Sequence, residues 1–378
     1  MAPSTTKTEE DLALLKSTVE TTLELVNKLS DFSASSDDKK PSDVNALDLA
    51  SDTASLIRAH STKLSLLIIN KPFTPSAIVK VLRELVAGAL PGLASSVELC
   101  DAANYTKTMS SELQWHAKKV FREFAVLVKA IPLDGKILSD DAKNGTGKTE
   151  GKGSLASTGV VWQACDGVIE LRKLGVAGVV IKMAEDYREL IEDALWELQE
   201  WGELGSDADE DDPATGSGDE DDAQAAFDKM FEAQRHIPTE DPNKIRPRFE
   251  SSVKRLRLVT LMYQAVVKRR FKTLPPLPQP ELLVEPKVKS SEEPGIVHTV
   301  DEVMDILKKI PEITDELASA FYSLDGADID KRMEECFLTA FAAVELMDKN
   351  WMGDSDEFTN WVSLSALVDP IFLTSSGV

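Results

Sequence analysis

The chain has 378 residues, more than one hydrophobic core usually organises, and its 65 Asp and Glu against 42 Lys and Arg give a formal net charge of −23. That field repels phosphate backbones and anionic headgroups, which excludes a general nucleic-acid or membrane-surface role and leaves proteins as the expected partners. Cys100, Cys165 and Cys336 are odd in number and lack any CxxC spacing, so neither a disulfide framework nor a zinc site is indicated, and a reducing compartment is expected.

Apolar residues recur at helical spacing and no run of strict alternation stands out, so the chain reads as all-α, two antiparallel helical bundles joined by a flexible linker. Leu12, Leu15, Val19, Leu23 and Val26 line a first helix; Val44, Leu47, Ala54, Ile57, Leu64 and Ile68 line a second. Thr74 before Pro75 predicts a capped third helix through Ile78, Leu82 and Leu85, with Pro91 and Gly92 ending or kinking it. A long segment to Ala130, broken near Asn104, carries Leu113, Val120, Phe124 and Leu127 and completes a four-helix domain over 1–131.

Residues 132–155 have the Gly, Lys, Asp, Ser and Thr content of a linker and contain NGTGKTEGKG, the tail of a phosphate-binding loop. The first glycine of that motif falls at Ala142 and no β-branched run precedes it, so the backbone cradle that a nucleotide requires is not expected. The four histidines, His60, His116, His236 and His298, are isolated, with no GxSxG or HExxH. No catalytic residue, cofactor or metal is expected.

A second domain is expected over 156–378. Thr158 is placed as a cap ahead of Val161, Ala164, Val168 and Leu171; Gly175 separates that helix from one carrying Val180, Met183, Tyr187, Leu190, Ala194, Leu198 and Trp201. Between 205 and 223 the chain is acidic, nine of the sixteen residues from Asp207 to Asp222, a density that suits disorder. Phe249, Val253, Leu256, Tyr263 and Val267 line the next helix, ahead of a proline-rich spacer over 274–295. Thr299 with Glu302 predicts a capping box before Val303, Ile306 and Ile310; Met333, Phe337, Ala340, Val344, Met347 and Trp351 form a last stripe; Phe358, Trp361 and Leu364 mark a short closing helix.

Three candidate sites emerge. Lys254, Arg255, Arg257, Lys268, Arg269, Arg270 and Lys272 form a basic patch in a stretch without an acid from Ser251 to Pro280; it suits an import signal or an acidic partner, or is a solvated helix face near its C-terminal dipole or one that docks the chain's own acidic loop. Lys272, Pro275 and Pro278 fit the basic-x-x-Pro-x-x-Pro spacing of a ligand for SH3 adaptors, or else a helix stop with a rigid spacer. Ser206 and Ser217 each have an acid three positions on, Asp209 and Glu220, which suits acid-directed phosphorylation.

The segment TGVVWQACDGVIEL, residues 158–171, followed by EDYRELIEDALWELQEW and an acidic stretch, resembles the cyclin-D-binding protein family, also called the adaptor-and-cyclin-D-interacting proteins. The resemblance implies an all-helical protein, related in architecture to vinculin-like and catenin-like bundles. It implies binding of D-type cyclins or other regulators in cytoplasm and nucleus, negative regulation of cell-cycle progression and transcription, and no enzymatic activity. Family members are described as helix-loop-helix proteins without a basic DNA-binding region, and the acidity here agrees. No binding residue carries over from the family. A cytoskeletal or adhesion scaffold is the alternative that bundle architecture alone suggests. The opening MAPSTTKTEED has no apolar signal core and no run of 18 apolar residues occurs, so a cytoplasmic and nuclear location without a membrane is expected.

Overall fold

The computed structural model describes residues 5–32, 44–145, 153–204, 237, 240–278 and 295–368. All regular elements among these residues are helices, so the protein is all-α. The described residues form two compact units that part between Val179 and Val180.

The first unit holds α1 (Thr5–Ser30), α2 (Ala46–Ile69), α3 (Pro75–Glu84), α4 (Leu90–Leu99), α5 (Ala102–Tyr105), α6 (Lys107–Lys129), α7 (Asp140–Asn144) and the first half of α8 (Ser154–Leu204). α1 packs on α3 and α6, and α2 on α4, burying Leu15, Ile57, Leu64, Leu82, Leu113 and Phe124. The break near Asn104 has a purpose. It lets the Tyr105 hydroxyl accept from the Ala46 N–H at 2.9 Å, while Asn45 accepts from the Leu47 and Asp48 N–H groups, so the start of α2 is satisfied.

Pro91 does not end the helical path. The turn before it widens into a π-helix, Leu85–Ala89, in which Leu90 N–H reaches back to Leu85 O, and this accommodates a ring that cannot donate. Thr74 does not cap α3; its hydroxyl donates to Pro72 O at 3.2 Å.

Residues 132–145 are more structured than linker composition suggests. Leu138 N–H donates to Ile68 O at 3.0 Å, Ser139 caps α7, and Gly145 closes it at φ +74°. A helix, not a strand, therefore leads into the phosphate-loop-like sequence, whose residues 146–152 lie outside the described ones. α8 starts at Ser154, so Thr158 lies inside it and its hydroxyl back-bonds to Ser154 O at 2.7 Å instead of capping. The first half of α8 then stays with the first unit. The Trp162 indole donates to the Thr62 hydroxyl at 3.0 Å, Asp166 meets Arg58 at 3.1 Å and Arg172 meets Asp48 at 2.7 Å. The boundary between units accordingly falls past Gly175, whose φ of +61° breaks the helical path, and not at 132–155.

The second unit holds the second half of α8, α9 (Ile245–Arg269), α10 (Ile296–Leu307), α11 (Lys309–Tyr322), α12 (Gly326–Glu345) and α13 (Glu357–Val368). Trp201, Phe249 and Phe321 make an aromatic cluster with ring centres 6.0 to 6.3 Å apart, and the buried Tyr263 hydroxyl donates to Leu307 O at 2.6 Å. α10 begins at Ile296, four residues earlier than a cap at Thr299 allows, and Glu302 faces His298 at 3.4 Å, so the expected capping box does not form.

Gly92 marks the closest approach of α4 to α2. A Cβ there meets the Thr53 methyl at 2.7 Å, and the Thr53 hydroxyl is held by Leu49 O and Ala50 O, so that side chain cannot swing away. Gly92→Ala is expected to lower stability by about 1–2 kcal/mol, overpacking outweighing the gain in helix propensity. Adding Thr53→Ser, which removes the methyl, should recover most of that loss in a urea titration; a stabilised Gly92→Ala would contradict the close packing.

A candidate protein-docking surface on the basic helix

The basic residues expected as one patch all lie on or just past α9, and the structure divides them between two jobs. The buried face of α9 carries Leu256, Val259, Tyr263 and Val266, and Arg270 continues that stripe one turn past Val266. Arg270 is therefore not part of a surface patch: it is fully buried. Its Nε donates to Met347 O at 2.7 Å and one terminal nitrogen donates to Asp348 O at 2.8 Å. Both terminal nitrogens grip the Asp356 carboxylate, at 2.7 and 3.0 Å, and the guanidinium lies over the Phe358 ring at 4.4 Å. The Trp351 indole closes the cluster by donating to Arg270 O at 2.8 Å.

Asp356 is shared. Besides Arg270, its carboxylate accepts from the Phe358 and Thr359 N–H groups and so caps α13, while Thr359 donates from its hydroxyl to Asp348 O at 2.6 Å. The Arg270 bond and these N–H groups hold the Asp356 carboxyl well below the usual carboxylate range. One arginine thus fixes the end of α9, the loop after α12 and the start of α13.

The remaining cations face out. Arg255 is half-buried over the Phe337 ring, and Arg269 pairs with Glu357 at 2.9 Å. Lys254, Arg257 and Lys268 are exposed; Arg257 bonds the neutral Gln199 at 3.2 Å, and among the described residues Lys254 and Lys268 make no ion pair. At 100° per residue, Arg257, Lys268, Leu261, Lys254 and Leu258 fall within an arc of about 100°. Leu258 and Leu261 are about half exposed, at 47% and 51%. The face joins unneutralised cations to solvated leucines, the composition of a surface that exchanges water for a partner.

Lys272 sits in a 3-10 turn, Phe271–Thr273, and the chain becomes extended only from Leu274, so Lys272 does not share one extended segment with Pro275 and Pro278. Leu274 is buried and Pro275 half-buried, which leaves this stretch as the helix stop. Ser206, Ser217, the acidic segment and most of the proline-rich spacer lie outside the described residues.

Burial pushes the Cys165 thiol up to about 12 and the Cys336 thiol up to about 11, so neither is a thiolate near neutrality. Among the described residues no cluster of His, Cys, Asp and Glu is able to hold a metal ion, and no helix is long and apolar enough to cross a membrane.

Residues 158–171 have a structural explanation. Trp162 and Asp166 bind α2, Cys165 is buried, and Gly167 lies where a Cβ meets His116 of α6. That segment sits within residues 50–204, which match the family model described as Grap2 and cyclin-D-interacting, N-terminal. Residues 50–204 are thus similar to the N-terminal region of that family. This region of the family runs here from α2 to the end of α8, and α9 with its basic face lies beyond it. An uncharacterized protein of Schizosaccharomyces pombe is 25% identical over 244 residues, which cover 62% of this chain and 66% of that protein, a little under two thirds of its length.

Arg270→Ala is expected to cost about 3–5 kcal/mol, because it takes the cation from the Asp356 carboxylate and the side-chain donor from the Met347 carbonyl, and Arg270→Lys should recover little of it, since one ammonium cannot make the fork. The unfolded chain takes up the proton at Asp356 first. This contribution is therefore complete above about pH 4 and drains away as pH falls below it. Asp356→Asn should flatten the acid limb of the stability curve in chemical denaturation; an acid limb identical to the parent's would contradict the pairing.

Proposed function

We propose that this chain is a non-enzymatic, protein-binding regulator of the cyclin-D-interacting kind, which restrains cell-cycle progression and transcription by occupying its partners in cytoplasm and nucleus. The family match to residues 50–204 supports protein interaction as the mode of action. The observation that carries the reading is the outward face of α9, where Lys254, Arg257 and Lys268 frame Leu258 and Leu261 without a neutralising carboxylate among the described residues. In a chain of net charge −23 such a face is electrostatically distinct, and it favours a partner segment that pairs carboxylates with apolar side chains.

The test is capture of a purified D-type cyclin by the full chain. Retention should weaken steeply between about 50 and 300 mM salt, as screening shortens the reach of exposed charges. K254E/R257E/K268E should weaken capture on the order of tenfold or more, with the helical content unchanged. Capture that is undiminished in the triple variant would remove α9 from the reading; absence of capture at any salt would remove the cyclin.

A further inference from the structure

α9 has an antiparallel neighbour of opposite sign. Trp201 near the end of α8 stacks on Phe249 near the start of α9, Gln199 takes a bond from Arg257, and Tyr187 lies within electrostatic reach of Tyr263, so the two helices run in opposite directions. The exposed residues of this half of α8 include Asp186, Glu189, Leu190, Asp193, Trp196, Glu197 and Glu200, with Lys182 one turn earlier. The seven fall within an arc of about 120°. Trp196 and Leu190 are the large apolar groups, 64% and 55% exposed. An indole that is nearly two thirds in water, set among carboxylates, mirrors the leucines set among cations on α9.

From this we infer that the chain self-associates, a second copy laying its α9 face on the α8 face of the first and receiving the reverse contact in return. Three features fit. The signs are complementary, and each face brings its own apolar anchors. The lengths agree: the cations run from Lys254 to Lys268 and the carboxylates from Asp186 to Glu200, each about 21 Å of helix at 1.5 Å per residue. Both faces lie on neighbouring antiparallel helices, so a two-fold axis satisfies both contacts at once and closes the assembly at two chains. Two helix faces of that length and about 10 Å width give a footprint of roughly 400 Å² per chain, which places the dimer among weak, concentration-dependent associations. The dimer uses the α9 face proposed above for partners, so self-association and partner capture compete, but it does not depend on which partner is bound.

Sedimentation velocity of the full chain at about 100 µM and low salt should show a dimer that reverts to monomer as salt rises. K254E/R257E should be monomeric, and so should D193K/E197K. An equimolar mixture of the two should recover the dimer, because one contact then joins the two reversed faces and the other the two intact ones, and opposite signs meet in both. W196Q/L261Q should also be monomeric with every charge in place, and circular dichroism should show all variants folded. A wild type that stays monomeric, a dimer indifferent to both reversals, or a mixture that fails to re-form it overturns the inference. D193K/E197K leaves α9 intact, so it separates this inference from the proposed function: cyclin capture by that variant reports on α9 whether or not the dimer exists.

Discussion

A guanidinium buried without a partner carries a penalty of several kcal/mol, and the C-terminal unit is arranged so that Arg270 has none to bear. Its donors are taken up by two carbonyls beyond α12 and by the carboxylate that caps α13. The charge cannot be shed by deprotonation, so the loop and the helix start have to come to it. Three elements are tied by one side chain, and α9 is thereby fixed in rotation. With Leu256, Tyr263, Val266 and Arg270 turned inward, helical geometry leaves Lys254, Arg257, Leu258, Leu261 and Lys268 facing out. The buried and the outward cations of one helix are therefore two consequences of the same constraint.

Elsewhere several arginines are engaged locally. Arg58 meets Asp166, Arg172 meets Asp48, Arg248 meets Asp330 at 2.7 Å, and Arg332 reaches Glu316, also at 2.7 Å. Exposed pairs of this kind contribute little stability each, but they neutralise, and on the outer face of α9 Lys254 and Lys268 make no ion pair among the described residues. Exposed leucines between free cations make desolvation by a partner favourable on two counts: apolar area leaves water and each cation gains a carboxylate.

Helix periodicity was legible because burial acts through the 3-4 repeat, and nearly every stripe named from sequence became a buried face. Cap assignments were less so. Thr74, Thr158 and Thr299 were expected to cap and none does, since a threonine hydroxyl competes by bonding backwards to a carbonyl, as Thr158 and Thr74 both show. Asn45, Asp101, Ser139, Asp325 and Asp356 cap instead. Arg270 was grouped with its basic neighbours because residue type dominated that reading. Its place four residues after Val266 and seven after Tyr263 put it on the core face, and Asp356 three residues before Thr359 carried the signature of a helix start. Their meeting across 86 positions is a tertiary event that no local pattern encodes.

The segment that carries the family resemblance illustrates the same division. Trp162, Cys165, Asp166 and Gly167 are used to seat α8 on α2 and α6, so the most recognisable sequence reports packing, while the surface proposed to bind lies on a helix outside the family match. Zero-length carbodiimide crosslinking of the full chain with a D-type cyclin tests that assignment most directly, since it joins a lysine amine only to a carboxylate in contact with it. The account predicts crosslinks from Lys254 and Lys268 to cyclin carboxylates, lost at high salt. Crosslinks confined to lysines of the first unit, with none on α9, would contradict it.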